Sequence, residues 1–437
     1  MTLPMTGAGP SGVAGGALLT YYLKAPFTGD NQAYVNAQVL NTAAEGVTEG
    51  ALTVVEAGSG ALALVSNECT FQGGGSVPSC NLTSQAISRL FGLTLIATVN
   101  VTAGGTYGPA LLWNADASVT SFSECEAFGF YFVLDDGILS AYNRAIQPTR
   151  VAAIAAATDY QVAFVLGGYD ASGNPWYAGL TPADYLYGMA AFIKGGAWSN
   201  WTRLLQWPIH NDDPVYAGVY SYNAAGTIDD VVAASGGTLN DLLQPVHFSS
   251  FDAANGTSLD AYTPEVGTGW TEHTGNMDIQ SNRANLVTGA SKCTVETGLS
   301  DVFINCVLNA TVPADTVGLM CRYSDVDNYW LVYLQEHAAL EKFRLYEVNA
   351  GITTLRASVT IGLSSGVDYQ VRVALNGTSI TCHIADEEVI SYTSSFNQTE
   401  TRHGLYCDAD VTVRFNDFAV YPSASAAIEA ALDAIEA

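Results

Sequence analysis

The tetrapeptide Asp-Tyr-Gln-Val occurs at Asp159–Val162 and again, 209 positions later, at Asp368–Val371. Its surroundings repeat with it. Asn100-Val101-Thr102 returns at the same offset as Asn309-Ala310-Thr311, each closing an apolar run. Ala110-Leu111-Leu112-Trp113 is answered by Gly318-Leu319-Met320-Cys321. Gly218-Val219-Tyr220 … Ile228-Asp229-Asp230-Val231 is answered by Gly404-Leu405-Tyr406 … Phe415-Asn416-Asp417-Phe418. The period exceeds the ~20–50 residues of a solenoid repeat, so it marks two copies of one domain. Whatever fold the chain adopts, it has to adopt it twice.

Within each copy, apolar runs of strand length alternate with Gly, Asp, Asn and Ser turns at roughly 8–12-residue spacing, the pattern of a sandwich or barrel. The second copy reads most clearly, in VFINCVLNATV, VGLMCRYS, NYWLVYLQ, KFRLYEV, YQVRVAL and VTVRFNDFAVY. Asn376-Gly377 between two runs predicts a hairpin with φ > 0 at both of those residues. The organisation expected is a flexible Gly/Pro/Ala-rich arm over 1–26, a first β-domain over 27–234 and a linker over 235–246. A second β-domain over 247–421 and a C-terminal helix over 422–437 complete it. In the helix, Ile428, Leu432 and Ile435 form an apolar stripe. So short a helix needs a packing partner, either the protein's own sandwich or a symmetry mate. The first copy carries an extra segment before its closing strands, with Trp198, Trp201 and Trp207 in a polar Gly/Ser/Asn context.

Composition narrows the function. The net charge is −27, from 42 acidic against 15 basic residues. Charged residues are 13% of the chain, against a typical ~25%, so the acidity reflects missing lysines more than an acidic coat. Without a basic footprint, nucleic acid and anionic membranes are excluded as partners. No run approaches the ~18 apolar residues of a membrane span, and the N-terminus lacks the basic and apolar regions of a signal peptide. The eight cysteines show no metal-ligand spacing and read as small buried hydrophobes. A cross-strand Cys293–Cys306 pair stays open as the alternative. Seven Asn-x-Ser/Thr sequons read as compositional.

Catalytic motifs fail on context. Gly7–Gly12 spells G-x-G-x-x-G but lacks the flanking strand and helix a phosphate loop requires. Gly362–Gly366 spells G-x-S-x-G but joins two strands, where a nucleophile elbow needs a strand–turn–helix. Glycoside hydrolysis needs two carboxylates at fixed separation, and Asp135-Asp136, Glu336 and Glu341 form no such pair. The six histidines are dispersed. Calcium suits loop carboxylates, with Asp325, Asp327, Asp229, Asp230 and Asp417 as candidate ligands and Asp170 with Asn174 as a further loop. Aromatic side chains can stack on sugar rings while their polar edges hydrogen-bond; the candidates are Trp198, Trp201, Trp330, Tyr323 and Trp113, the first two being the ones expected to be exposed.

Several phrases of the second copy resemble the concanavalin A-like lectin/glucanase (laminin-G-like) superfamily. They are FDAANGTSL (251–259) with Gly269-Trp270, GLMCRYSDVDNYWLVYL (318–334), DYQVRVALNG (368–377) and GLYCD … FNDFAVY (404–421). The resemblance extends to the first copy through the repeat. It implies an all-β fold of two tandem jelly-roll sandwiches, with sugar binding, where present, on the concave face or loop rim. The opening and closing phrases are similar to those of domains in bacteriophage virion proteins. The expectation is a non-enzymatic virion structural protein, a capsid decoration or tail/fibre component. Its partners would be other virion proteins, itself as a homo-oligomer, or cell-surface glycans, with no cofactor beyond structural calcium. The alternative is a lectin-like protein outside a virion.

Overall fold

The computed structural model describes residues 20–25, 32–34, 39–40, 52–56, 61–65, 68–72, 78–83, 93–103, 107–114, 129–135, 138–143, 149–167, 189–207, 216–222, 225–235, 242, 244–310, 316–335, 342–364, 366–384, 387–408 and 413–436. The N-terminal half forms two antiparallel sheets. One has the order β15 (Trp198–Trp207), β14 (Met189–Gly195), β13 (Asp159–Leu166), β8 (Leu93–Ala103), β17 (Ala225–Ser235), β6 (Glu68–Gln72), β5 (Ala61–Val65), β2 (Gln32–Tyr34). A further strand, β1 (Thr20–Ala25), pairs with β17. The other sheet has the order β12 (Thr149–Ala153), β11 (Ile138–Asn143), β10 (Gly129–Asp135), β9 (Tyr107–Asn114), β16 (Tyr216–Tyr222), β7 (Pro78–Thr83), β4 (Leu52–Glu56), β3 (Val39–Leu40).

The C-terminal half is one antiparallel sheet folded over itself. On one side lie β25 (Ile352–Thr360), β24 (Lys342–Asn349), β23 (Asn328–Gln335), β22 (Thr316–Asp325) and β29 (Arg402–Cys407). On the other lie β30 (Val413–Pro422), β21 (Val302–Ala310), β26 (Asp368–Asn376), β27 (Ser379–Ile384) and β28 (Glu387–Thr393). The long β20 (Ala284–Glu296) joins them, pairing with β30 at its start and with β29 at its end. Two strands complete the sheet, β18 (His247–Ser249) on β30 and β19 (Thr271–Ile279) on β20. The architecture is an all-β jelly-roll sandwich. Its apolar interior in this half runs from Phe251, Trp270 and Phe418 to Leu319, Trp330 and Phe343.

Strand order repeats between the halves. The series β15-β14-β13-β8-β17 corresponds to β28-β27-β26-β21-β30, and β12-β11-β10-β9-β16 to β25-β24-β23-β22-β29. The repeated phrase has the same local chemistry in both. Asp159 stands opposite Asn100 and accepts from its amide at 2.5 Å. Asp368 stands opposite Asn309 and accepts at 2.6 Å. The tyrosine that follows clips the preceding turn: Tyr160 accepts from the Ala155 N–H at 2.9 Å and Tyr369 from the Ser364 N–H at 2.7 Å. Both closing strands bulge at the same place, with one extra residue in β17 after Asp229 and one in β30 after Asn416.

Three expectations change, and the reading of the described cysteines as buried thiols holds. The last part of the arm, Thr20–Ala25, is a strand in register with Val231–Ser235, because the open flank of β17 offers backbone partners. Asn376 pairs with Ser379, so the turn centres on Gly377-Thr378, with Gly377 at φ 54° supplying the left-handed residue. Cys293 and Cys306 are separate buried thiols, as are Cys321, Cys382 and Cys407. Desolvation, with nearby negative charge adding to it, raises the Cys306 and Cys382 thiols well above their ordinary range; Cys69, Cys80 and Cys125 lie outside the described side chains.

The third change concerns the tryptophan-rich segment, which is a docking surface. Helix α1 (Ala426–Glu436) starts where the Ser425 hydroxyl accepts from the Ile428 N–H, a third-position N-cap. Its Ile428, Leu432 and Ile435 pack against Trp201, Phe192, Val165 and Val232 of the N-terminal half. The Trp201 indole donates to Asp433, the Trp201 N–H donates to Glu429, and Lys194 bridges both carboxylates. Beside them Arg203 is buried between the rings of Phe192 and Tyr421 and donates to the carbonyls of Pro422 and Leu242 and to Gln206. The helix partner is therefore the protein's own first sandwich. Among the described residues no helix is long and apolar enough to cross a membrane.

Candidate functional site

Most of the aromatic side chains singled out in the sequence are spent on packing. Trp330 lies in the second core, its indole N–H donating to the Phe396 carbonyl at 3.0 Å. Trp201 is covered by the C-terminal helix. Tyr323 is buried, with His273 stacked on it at 4.6 Å and the Arg402 guanidinium 5.2 Å from its ring. Trp198 stays half-buried, edge-on to Tyr160. The side chain of Trp113 lies outside the described residues.

The candidate calcium ligands act on the backbone. Asp325 accepts from the Asp327 N–H at 2.9 Å and from Asn328, closing the β22–β23 turn, and these bonds hold its carboxyl below the ordinary carboxylate range. Asp327 offers its carbonyl to the Gly351 N–H of the next turn. Asp230 and Asp417 adopt φ 50° and 51° at the two equivalent bulges, where Asp and Asn are tolerated better than other residues. Asp229 caps the Asp230 N–H. Among the described residues no three His, Cys, Asp or Glu side chains come close enough to hold a metal ion.

A different surface gathers aromatic rings beside polar and charged side chains. On β23, Trp330, Val332 and Leu334 point into the core, so Tyr329, Leu331 and Tyr333 take the opposite face. The same alternation puts Lys342, Arg344 and Tyr346 of β24 and Tyr406 of β29 on that face. Five residues then stand side by side on adjacent strands: Lys292, Tyr406, Gly318, Tyr333 and Arg344. At ~4.8 Å between strands the row spans roughly 19 Å. Gly318 sits at its centre without a side chain, and a Cβ there would approach the Val332 carbonyl to 2.5 Å. Beside this glycine the rings of Tyr333 and Tyr406 lie 6.4 Å apart, tilted by 50°, and Tyr346 meets Tyr333 edge-on at 5.6 Å.

The polar edges of these rings are fixed. Tyr406 donates to Asp408 at 2.6 Å, and Tyr333 donates to Thr316 at 2.6 Å with Asp408 at 3.5 Å. Arg344 donates to the Tyr346 hydroxyl at 2.9 Å. Burial, with Asp408 adding to it, raises both phenols, Tyr333 to about 12 and Tyr406 further. They stay protonated at neutral pH, leaving Asp408 as the acceptor between them. Tyr333, Tyr346 and Tyr406 are half-buried, so they keep ring surface open beside a carboxylate, a guanidinium and hydroxyls. The signal for this face was present in NYWLVYLQ and KFRLYEV. A strand apolar at both parities is covered on both sides, and only the position of Trp330 tells which parity is the core.

No protein-family model matches the sequence, and no curated protein matches it. Solved structures match over about a third of the chain. The carbohydrate-binding module CBM66 of Bacillus subtilis is 18% identical over 35% of this chain and 96% of its own, with a TM-score of 0.30. A putative glycosyl hydrolase of Parabacteroides distasonis is 11% identical over 35% and 98%, at 0.27. A galectin of Caenorhabditis elegans is 11% identical over 29% and 88%, at 0.25.

Proposed function

We propose that the protein is a non-enzymatic, glycan-adhering structural component of a virion, built from two tandem copies of one jelly roll. The observation that carries glycan adhesion is the tyrosine row of the second sandwich. Tyr333, Tyr346 and Tyr406 offer faces for the C–H surface of a sugar ring, and Asp408, Thr316 and Arg344 offer acceptors and donors for its hydroxyls. Hydrolysis by the common mechanism would need a second carboxylate across the substrate; among the described residues, Asp408 is the carboxylate in contact with these tyrosines. Duplication is supported by the matching strand orders, the two Asn–Asp pairs, the two tyrosine clips and the two bulges.

The test is a glycan array probed with the wild type and with Tyr333→Ala/Tyr406→Ala. The expected result is binding that the double variant loses while its melting temperature stays within a few degrees. Binding unaffected by the double variant would remove the row from the reading. The virion placement rests on the phage-like phrases and a lysine-poor, adhesin-like surface. Peptides of this chain are expected in mass spectra of purified particles, and their absence would leave a lectin-like protein outside a virion.

A further inference from the structure

We infer that the sugar held by the tyrosine row carries a negative charge, with its carboxylate or sulfate seated at the Arg344 end; this rests on the glycan reading above. The first ground is the distribution of cations. The chain has 15 basic residues, and four of them, Lys292, Lys342, Arg344 and Arg402, project from the face that carries the tyrosines. The second ground is pairing. Carboxylates outnumber cations by 42 to 15; elsewhere Arg203 is held by carbonyls and Gln206, but Lys194, Arg283, Arg322 and Arg356 each have a carboxylate within salt-bridge distance. Among the described residues none of the four on this face does. Lys292 and Arg402 instead hold the carbonyls of Val326 and Ser324, and Arg344 holds a neutral phenol.

The third ground is the guanidinium itself. Its Nη1 is committed to Tyr346, while Nε is buried without a hydrogen-bond partner among the described residues. A buried donor left unmet is costly. The planar guanidinium, held in place by the Tyr346 contact and by burial of Nε, is the side chain suited to charge-assisted pairing with a carboxylate or sulfate. At the middle of the row, Asp408 suits neutral hydroxyls and repels an anion, which places the ligand's charge toward β24. The net negative charge of the protein opposes approach at long range, but at physiological salt that field is screened within ~8 Å, and the local cations decide.

The probe is an array of paired glycans, hexuronate, sialylated and sulfated oligosaccharides beside their uncharged parents, with methyl-esterified uronates as controls of identical backbone. The acidic member of at least one pair is expected to bind tenfold or more tighter than its neutral partner, from roughly one charge-assisted bond. Arg344→Met should bring the two together, Arg344→Lys should restore part of the difference, and rising salt should erode it. Near-ultraviolet circular dichroism of each variant shows whether the sandwich is intact. The pairs distinguish carboxylate from sulfate. Equal binding of acidic and neutral partners overturns this inference and leaves glycan adhesion standing. Binding to no glycan on the array overturns both.

Discussion

Leu432→Ala removes the middle residue of the stripe by which the C-terminal helix grips the first sandwich. Leu432 is fully buried and lies between Ile428 and Ile435, against Trp201, Phe192 and Val232. Truncating a buried leucine costs about 2–5 kcal/mol, the upper part of the range applying where the site cannot collapse. Here the opposing wall is a β-sheet held on its other face by a second sheet, so it cannot follow the shortened side chain. An 11-residue helix is marginal in water by itself, so weakened docking releases it as a whole, together with the Lys194 and Trp201 contacts. Those contacts are partly exposed and add no more than ~1 kcal/mol. For a unit of this size, 2–5 kcal/mol corresponds to a fall of roughly 4–20 °C in melting temperature. Calorimetry would record it in the transition of the N-terminal half, and Trp201 emission would shift to the red as its indole meets water. A first transition within 1 °C of the wild type, with unshifted emission, would refute the docking described here. A concentration-dependent loss of oligomer would instead mean that the helix docks on a second copy.

Three buried histidines make the second sandwich acid-sensitive. Desolvation holds His247 and His383 down to about 3 and His403 to about 4, against ~6.5 in the unfolded chain. Below that value the unfolded state binds more protons, so stability falls as pH drops from 6.5 toward 4, by up to about 2 kcal/mol per histidine at pH 5. Glu272 and Glu388, raised by burial, act in the opposite sense. Urea midpoints of the C-terminal half measured from pH 7.5 to 5 should decline steadily, and a flat profile would show that the imidazoles are hydrated. Arg203→Ala should cost about 3 kcal/mol or more by leaving the Pro422 and Leu242 carbonyls and Gln206 unmet. Denaturation midpoints should fall accordingly, and midpoints unchanged from the wild type would refute the joint at Arg203.

The repeated strand order was legible in the chain because strands paired in the same way in both halves carry matching residues at matching spacing. Asn100 with Asp159 and Asn309 with Asp368 are register partners at equivalent places in the two halves, and their shared spacing is visible as a repeat. The helix stripe was legible for the same reason, since Ile428, Leu432 and Ile435 follow the helical period. The sugar-binding candidates were not. Trp201, Trp330 and Tyr323 have the composition of a binding surface, and burial by distant segments took them out of it. The row of Tyr406, Gly318, Tyr333 and Arg344 was hidden because its members lie on four strands scattered over residues 318–406.

By itself the sequence determined the all-β class, the internal repeat and the amphipathic tail, because these depend on neighbours within a strand or a helical period. Only the tertiary structure decided which face of each strand is interior and what the C-terminal helix covers. Those are outcomes of long-range pairing, in which a one-residue change of parity moves every side chain to the opposite face.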